Sequence, residues 1–146
     1  MDKYDKKYLD LAKFFAGWSK DPSTGVGAVA IGARGQVLAQ GYNGFPRGVV
    51  ESEARLENRE VKYSYVVHAE MNCIYNAGYN GASLDDATLY VYGLPVCNEC
   101  AKGIIQVGIT RVVIPKNGTD GPDRWKVSIL ETHTMFDEAG IKYDFV

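Results

Sequence analysis

Cysteine is scarce in this chain, with three in 146 residues. An odd number with two of them in one C-x-x-C does not build a disulfide framework, and it points to metal or redox chemistry instead. Long apolar runs are missing, and no stretch approaches the roughly 20 residues of a membrane span. The N-terminus, Met1 to Lys7, carries charges but no apolar segment behind them, so no secretory signal is read and a cytoplasmic location is expected. Positive charge is not in excess: 16 Lys and Arg stand against 18 Asp and Glu, a formal net charge of -2. That excludes a broad nucleic-acid footprint but leaves room for one or two basic residues gripping a single phosphate. Repeats, linkers and low-complexity segments are also missing, and residues 1–146 are read as one domain of ordinary globular composition, with no nucleic acid or membrane as partner.

What is present reads as alternating elements. Tyr4, Tyr8, Leu11, Ala12 and Phe15 recur at helical spacing and predict an opening amphipathic helix that ends at Gly17. Val26 to Ala33 and Gln36 to Tyr42 predict a hairpin about Arg34-Gly35. A long segment from Asn43 to Val67 follows, with a charged run, Glu51 to Lys62, expected as a short helix presenting a solvated face. Then come a helix from His68 to Ala77 stopped by Gly78, a strand Ala87 to Tyr92, a helix Cys97 to Val107, and a strand Arg111 to Pro115. A helix along Trp125, Ile129, Thr132, Phe136 and Ala139, capped by Gly140, and a strand Ile141 to Phe145 close the chain. The order implies an α/β fold with a mixed sheet between helices, its later crossovers parallel.

The chemistry is concentrated in His68-Ala69-Glu70 and Cys97-Asn98-Glu99-Cys100. A catalytic zinc takes three N or S ligands and keeps a fourth position for water, and His68, Cys97 and Cys100 supply three. Cys97 and Cys100 are i and i+3 on a predicted helix start, so their sulfurs face one way. Both segments open helices, whose positive ends favour thiolates. Glu70, two residues from His68, lies near the metal without binding it, where a carboxylate can move protons between water and a leaving amine. H-x-E with a downstream C-x-x-C is the pattern of zinc nucleobase deaminases. A C-x-x-C alone serves redox and structural zinc sites equally, so the upstream H-x-E decides. Cys73 reads as a buried core residue, and His133 as a surface or rim residue.

With these residues in view, the chain resembles the deoxycytidylate deaminases. The resemblance is carried by Ser19-Lys20-Asp21-Pro22-Ser23-Thr24-Gly25-Val26-Gly27-Ala28, by Gly41-Tyr42-Asn43-Gly44-Phe45-Pro46-Arg47-Gly48, by His68-Ala69-Glu70-Met71-Asn72 and by Cys97-Asn98-Glu99-Cys100-Ala101-Lys102. It implies a three-layer α/β/α fold with five strands and the hydrolysis of dCMP to dUMP and ammonia. It implies one Zn2+ on His68, Cys97 and Cys100, with Glu70 as proton shuttle, Asn43 bonding the substrate sugar or base, and the Ala69 backbone meeting the pyrimidine carbonyl. It further implies a homo-oligomer, often a hexamer in the family, and regulation by dCTP and dTTP with Mg2+ accompanying the triphosphate. Gly41, Tyr42 and Gly44 belong to the loop that takes part in nucleotide binding in relatives. Two departures stand out: Val96 separates Pro95 from Cys97 where the family has proline directly before the cysteine, and the tail from Lys116 through Gly118-Thr119-Asp120-Gly121-Pro122 matches less well.

Weaker signals remain open between two readings each. Lys20 and Ser19 suit a terminal phosphate, or are loop residues in solvent. Arg47 suits a substrate or effector phosphate. Tyr63 and Tyr65 stack on a pyrimidine, or pack under the long loop. Asn72 orients the loop or the nucleotide. Gly25-x-Gly27-x-x-Ala30 lies inside a predicted strand and is dismissed as a dinucleotide fingerprint. Two alternatives compete with dCMP deamination: the same chemistry on cytidine, dCTP, a modified cytosine nucleotide or tRNA adenosine, and a catalytically idle zinc module that binds nucleotides.

Overall fold

The computed structural model describes residues 2–117 and 121–146; Gly118, Thr119 and Asp120 of the divergent tail lie outside the described residues. The opening helix, α1 (Lys3–Ala16), is capped by Asp2, whose carboxylate accepts the Tyr4 N–H at 2.7 Å. Strands β1 (Gly27–Ile31) and β2 (Val37–Tyr42) form the expected antiparallel hairpin. Helices α2 (Glu53–Glu57) and α3 (Arg59–Tyr65) follow, then α4 (Ala69–Asn80), β3 (Thr88–Tyr92), α5 (Asn98–Gln106) and β4 (Arg111–Ile114). A 3₁₀ turn (Asp123–Trp125), α6 (Lys126–Ala139) and β5 (Lys142–Phe145) complete the chain.

The five strands lie in the order β2-β1-β3-β4-β5. β1 is antiparallel to both neighbours, and β3, β4 and β5 are parallel. β2 and β3 therefore run the same way, with β1 between them. Side-chain alternation divides each strand between two faces. Leu89 and Val91 of β3 and Val112 and Ile114 of β4 face Cys73, Ile104 and Phe136 of α4, α5 and α6. Val29, Tyr90 and Val113 face Leu9 and Ala12 of α1. Every residue of β1 is buried, as its unbroken apolar run requires of a strand covered on both faces.

Two expectations are corrected. α4 does not stop at Gly78 but continues through it to Gly81, which adopts the left-handed conformation (φ 67°) that ends helices. The charged run Glu51 to Lys62 is not one solvated face: it forms α2 and the start of α3, each with its own side-chain cap (Ser52, Asn58), and buries Leu56 and Lys62.

Candidate active site

Two helix starts meet on the α4 side of the sheet. Gly41 on β2 makes this possible, because a Cβ there would stand 2.4 Å from the Cys73 amide nitrogen and 2.7 Å from the Ala69 carbonyl. α4 is thus pressed onto β2, with His68 as its N-terminal cap. The His68 ring makes no capping bond to the helix and stays available. Cys97 is the N-terminal cap of α5 and, unlike His68, bonds its helix, its sulfur accepting the Cys100 N–H at 3.4 Å.

His68 Nδ1 lies 3.3 Å from Cys97 Sγ and 3.4 Å from Cys100 Sγ. Among the described residues this is the one group of three or more His, Cys, Asp and Glu side chains placed to hold a metal ion, with ligand atoms within 4.8 Å of one another. Donors on one tetrahedral zinc at about 2.0–2.3 Å stand roughly 3.6 Å apart, so the spacing and the N/S chemistry fit zinc. No cysteine is in a disulfide. Cys73, buried in the core, is pushed up to about 12 by desolvation and takes no part.

Glu70 is 3 % exposed, and burial raises its carboxyl to about 7. The His68 imidazole is raised to about 8, first by its bond to Cys97. Cys97 is held well below an ordinary thiol, first by its bond to Cys100 and then by His68, while Cys100 is pushed up by Cys97 and by burial.

His68, Ala69 and Glu70 line one cavity together with Asn43, Asp21, Thr24, Lys62, Tyr63, Pro95, Arg124 and Trp125. Asn43 Oδ1 accepts the Val26 N–H at 2.8 Å, and its Nδ2 donates to the Thr24 carbonyl at 3.0 Å. One N–H and one lone pair of the amide remain for a ligand. Lys62, 8 % exposed, bonds Asp21 at 3.3 Å and Ser23 at 3.4 Å. Trp125 stacks on His68, with ring centroids 5.9 Å apart, and the Arg124 guanidinium lies 5.6 Å over the Tyr63 ring.

Other residues singled out from the sequence lie elsewhere. Lys20 is exposed and outside this cavity. The Ser19 hydroxyl donates to the Asn43 carbonyl at 2.9 Å and so shapes the cavity wall. Tyr65 packs edge-on against Phe45, with Arg55 over its ring, under the long loop. Tyr42, Gly44, Arg47 and Asn72 line a second cleft of about 670 Å³ between the Gly41–Gly48 loop and α4. There Arg47 bonds Asn76 at 2.6 Å and covers Tyr79, and Asn72 donates to the Tyr42 carbonyl at 2.8 Å. His133 is half-buried and stacks on Phe145.

Sequence reasoning missed Lys62, Arg124 and Trp125 as wall residues. Asn58 was the available signal for Lys62, since a cap there splits the charged run and turns Lys62 inward with Val66. Pro122 ahead of Trp125 marked a turn that brings an aromatic back over the site.

Residues 2–116 match the model of the cytidine and deoxycytidylate deaminase zinc-binding region. An uncharacterized deaminase in the luxG 3′ region of Aliivibrio fischeri is 38% identical over 142 residues, covering 97% of this chain and 92% of that one. The deoxycytidylate deaminase of Homo sapiens is 34% identical over 146 residues, covering 97% of this chain and 78% of that one. Among solved structures, the dCMP deaminase of cyanophage S-TIM5 in complex with dCMP and dUMP superposes with a TM-score of 0.78 at 25% identity, covering 100% of this chain and 99% of that one.

Proposed function

This chain belongs to the cytidine and deoxycytidylate deaminase family, and from that membership we propose that it hydrolyses dCMP to dUMP and ammonia. The observation that carries the reading is the His68–Cys97–Cys100 cluster with Glu70 buried beside it, at the floor of a cavity whose wall holds Lys62 and Arg124.

His68, Cys97 and Cys100 would hold one Zn2+. When bound, the ion supplies a water of lowered pKa at neutral pH. Glu70 is placed to carry the two protons of the attacking water in turn, one to the ring nitrogen beside the reacting carbon and one to the exocyclic nitrogen, so that one water is consumed, one ammonia leaves, and a C=O with a ring N–H replaces the C–NH2 with its ring C=N. Burial suits Glu70 to this, since desolvation raises its carboxyl and favours uptake of a proton. The free N–H of Asn43 faces the sugar or base, and the Ala69 backbone faces the pyrimidine carbonyl. Lys62 and Arg124 are the cations placed to receive the 5′-phosphate through charge-assisted bonds, in preference to Lys20. Trp125 and Tyr63 wall the base and exclude water.

The second cleft, lined by Tyr42, Gly44, Arg47 and Asn72, suits an effector nucleotide. On this reading dCTP activates and dTTP inhibits, Mg2+ arriving with the triphosphate. Tyr75 and Tyr79 on the exposed face of α4 suit burial in a homo-oligomer, a hexamer by family likeness. Among the described residues no helix is long and apolar enough to cross a membrane, and a cytoplasmic location goes with free thiols and nucleotide substrates.

The test is release of ammonia from zinc-loaded protein given dCMP, CMP, deoxycytidine, dCTP, 5-substituted dCMP and a tRNA anticodon stem. Preferential turnover of dCMP supports the reading. Faster turnover of another substrate moves the error to the cavity wall, and no turnover of any with zinc bound favours the idle nucleotide-binding module.

A further inference from the structure

The turn before α5 contains a residue with no neighbours to satisfy its backbone by regular structure. Val96 is fully buried between Pro95 and Cys97, and a buried N–H or C=O left unpaired is costly. Both are answered from the end of the chain. The Val96 N–H donates to the Tyr143 hydroxyl of β5 at 3.2 Å. The Thr132 hydroxyl of α6 points between the Val96 carbonyl, at 2.9 Å, and the Ser128 carbonyl, at 3.1 Å. On the other side of Cys97, the Asn98 N–H donates to Ser128 Oγ at 2.9 Å, and that hydroxyl donates back to Asn98 Oδ1 at 2.8 Å.

These partners are arranged for the purpose by local geometry. Ser128, Thr132 and Phe136 are successive i, i+4 positions on one face of α6. Thr132 and Phe136 are fully buried. Phe136 meets the Tyr143 ring edge-on, with centroids 5.1 Å apart, and fixes where its hydroxyl sits. Tyr143 faces this side of the sheet because its neighbour Asp144 faces the other, bonded to Arg111.

We propose that Ser128, Thr132 and Tyr143 are positioning residues for the metal site. They clamp the residues on either side of Cys97, so that a C-terminal unit contributing no ligand sets how well His68, Cys97 and Cys100 hold zinc. The proposal rests on the zinc-site reading above. Without the clamp, the buried groups of Val96 seek other partners, and the turn moves Cys97 Sγ away from His68 Nδ1. Loss of such supporting bonds typically costs 10–100-fold in metal affinity.

The test uses the full chain loaded with zinc or Co2+. Zinc affinity is measured by competition with a chromophoric chelator, and the thiolate-to-cobalt and d–d bands are recorded. Tyr143→Phe and Thr132→Val, which keep shape and lose the hydroxyl, should each weaken zinc 10–100-fold and shift the cobalt bands, while Thr132→Ser restores both. Tyr90→Phe, which removes the hydroxyl bond to Asp5 on the opposite face, controls for general destabilisation: it should lower Tm and leave affinity and spectrum alone. Wild-type affinity and spectrum in both hydroxyl-deleted variants would overturn the clamp, as would an equal change in Tyr90→Phe. A wild-type chain that binds no zinc would overturn the metal site, and the clamp with it.

Discussion

Two polar clusters are set against opposite faces of the same sheet, and they differ in whether they are complete. On the α1 face, Arg111 bonds both oxygens of Asp5, at 2.9 and 3.0 Å, and Asp144 at 2.8 Å, while the Tyr90 hydroxyl donates to Asp5 at 2.7 Å. Lys142 lies 3.7 Å from Asp144, so two carboxylates face two cations and nothing is left over. On the α4 face, two thiols and a carboxyl crowd one imidazole. The first cluster is a neutral knot tying α1 to β3, β4 and β5. The second gathers more acidic groups than its one imidazole can balance, in a cavity open to solvent. Burial of charge is tolerated when it is paired. The pairing is internal in one case, and in the other it needs a cation.

The sharpest way to separate the two is to remove the cation. Chelation of zinc, or His68→Ala, should bring deamination to background, and added Zn2+ should restore only the chelated wild type; the α1-face cluster predicts no such metal dependence. Next in size, Glu70→Gln should keep one zinc per chain, by elemental analysis, and lower kcat roughly 10²–10⁴-fold. Loss of zinc along with turnover would instead make Glu70 a structural part of the cluster. Arg111→Met breaks the other cluster and leaves Asp5 buried without its partner. It should destabilise by about 3–5 kcal/mol, a fall in Tm of roughly 10 °C, with KM for dCMP unchanged. Arg124→Met should raise KM for dCMP about tenfold and leave deoxycytidine kinetics unaltered, since a charge-assisted bond to phosphate is worth about 1.5–3 kcal/mol. The smallest effect is on acid stability. The Arg111 bond holds the Asp5 carboxyl below its usual range. Its contribution is therefore full above the unfolded pKa and lost as pH falls through the folded one, so Tm should drop more steeply below about pH 4 in the wild type than in Asp5→Asn.

The two clusters were not equally legible in the sequence. His68, Glu70, Cys97 and Cys100 stand in two short motifs, because ligands on a shared helix start must be close in sequence. Asp5, Tyr90, Arg111 and Asp144 come from four separate elements, and nothing in the spacing of residue 5 and residue 111 foretells a bidentate bond. Lys62 was hidden for a related reason. It lies in a run of charges, and only the Asp21 and Ser23 partners brought from another loop make its burial tolerable. Gly78 misled because a glycine inside a helix looks like an end; the true end is Gly81, where φ is positive. The strand periods and the apolar run of β1 were readable because alternation and burial are local patterns.

By itself, the sequence determined the element order, the core strands and the H-x-E and C-x-x-C chemistry, since each depends on residues near one another along the chain. Only the tertiary structure decided which cations share the cavity, that Lys20 and Arg47 lie outside it, and that α6 and β5 supply the partners of the Val96 turn. Those contacts join residues tens of positions apart, and such pairings are set by how helices pack on a sheet.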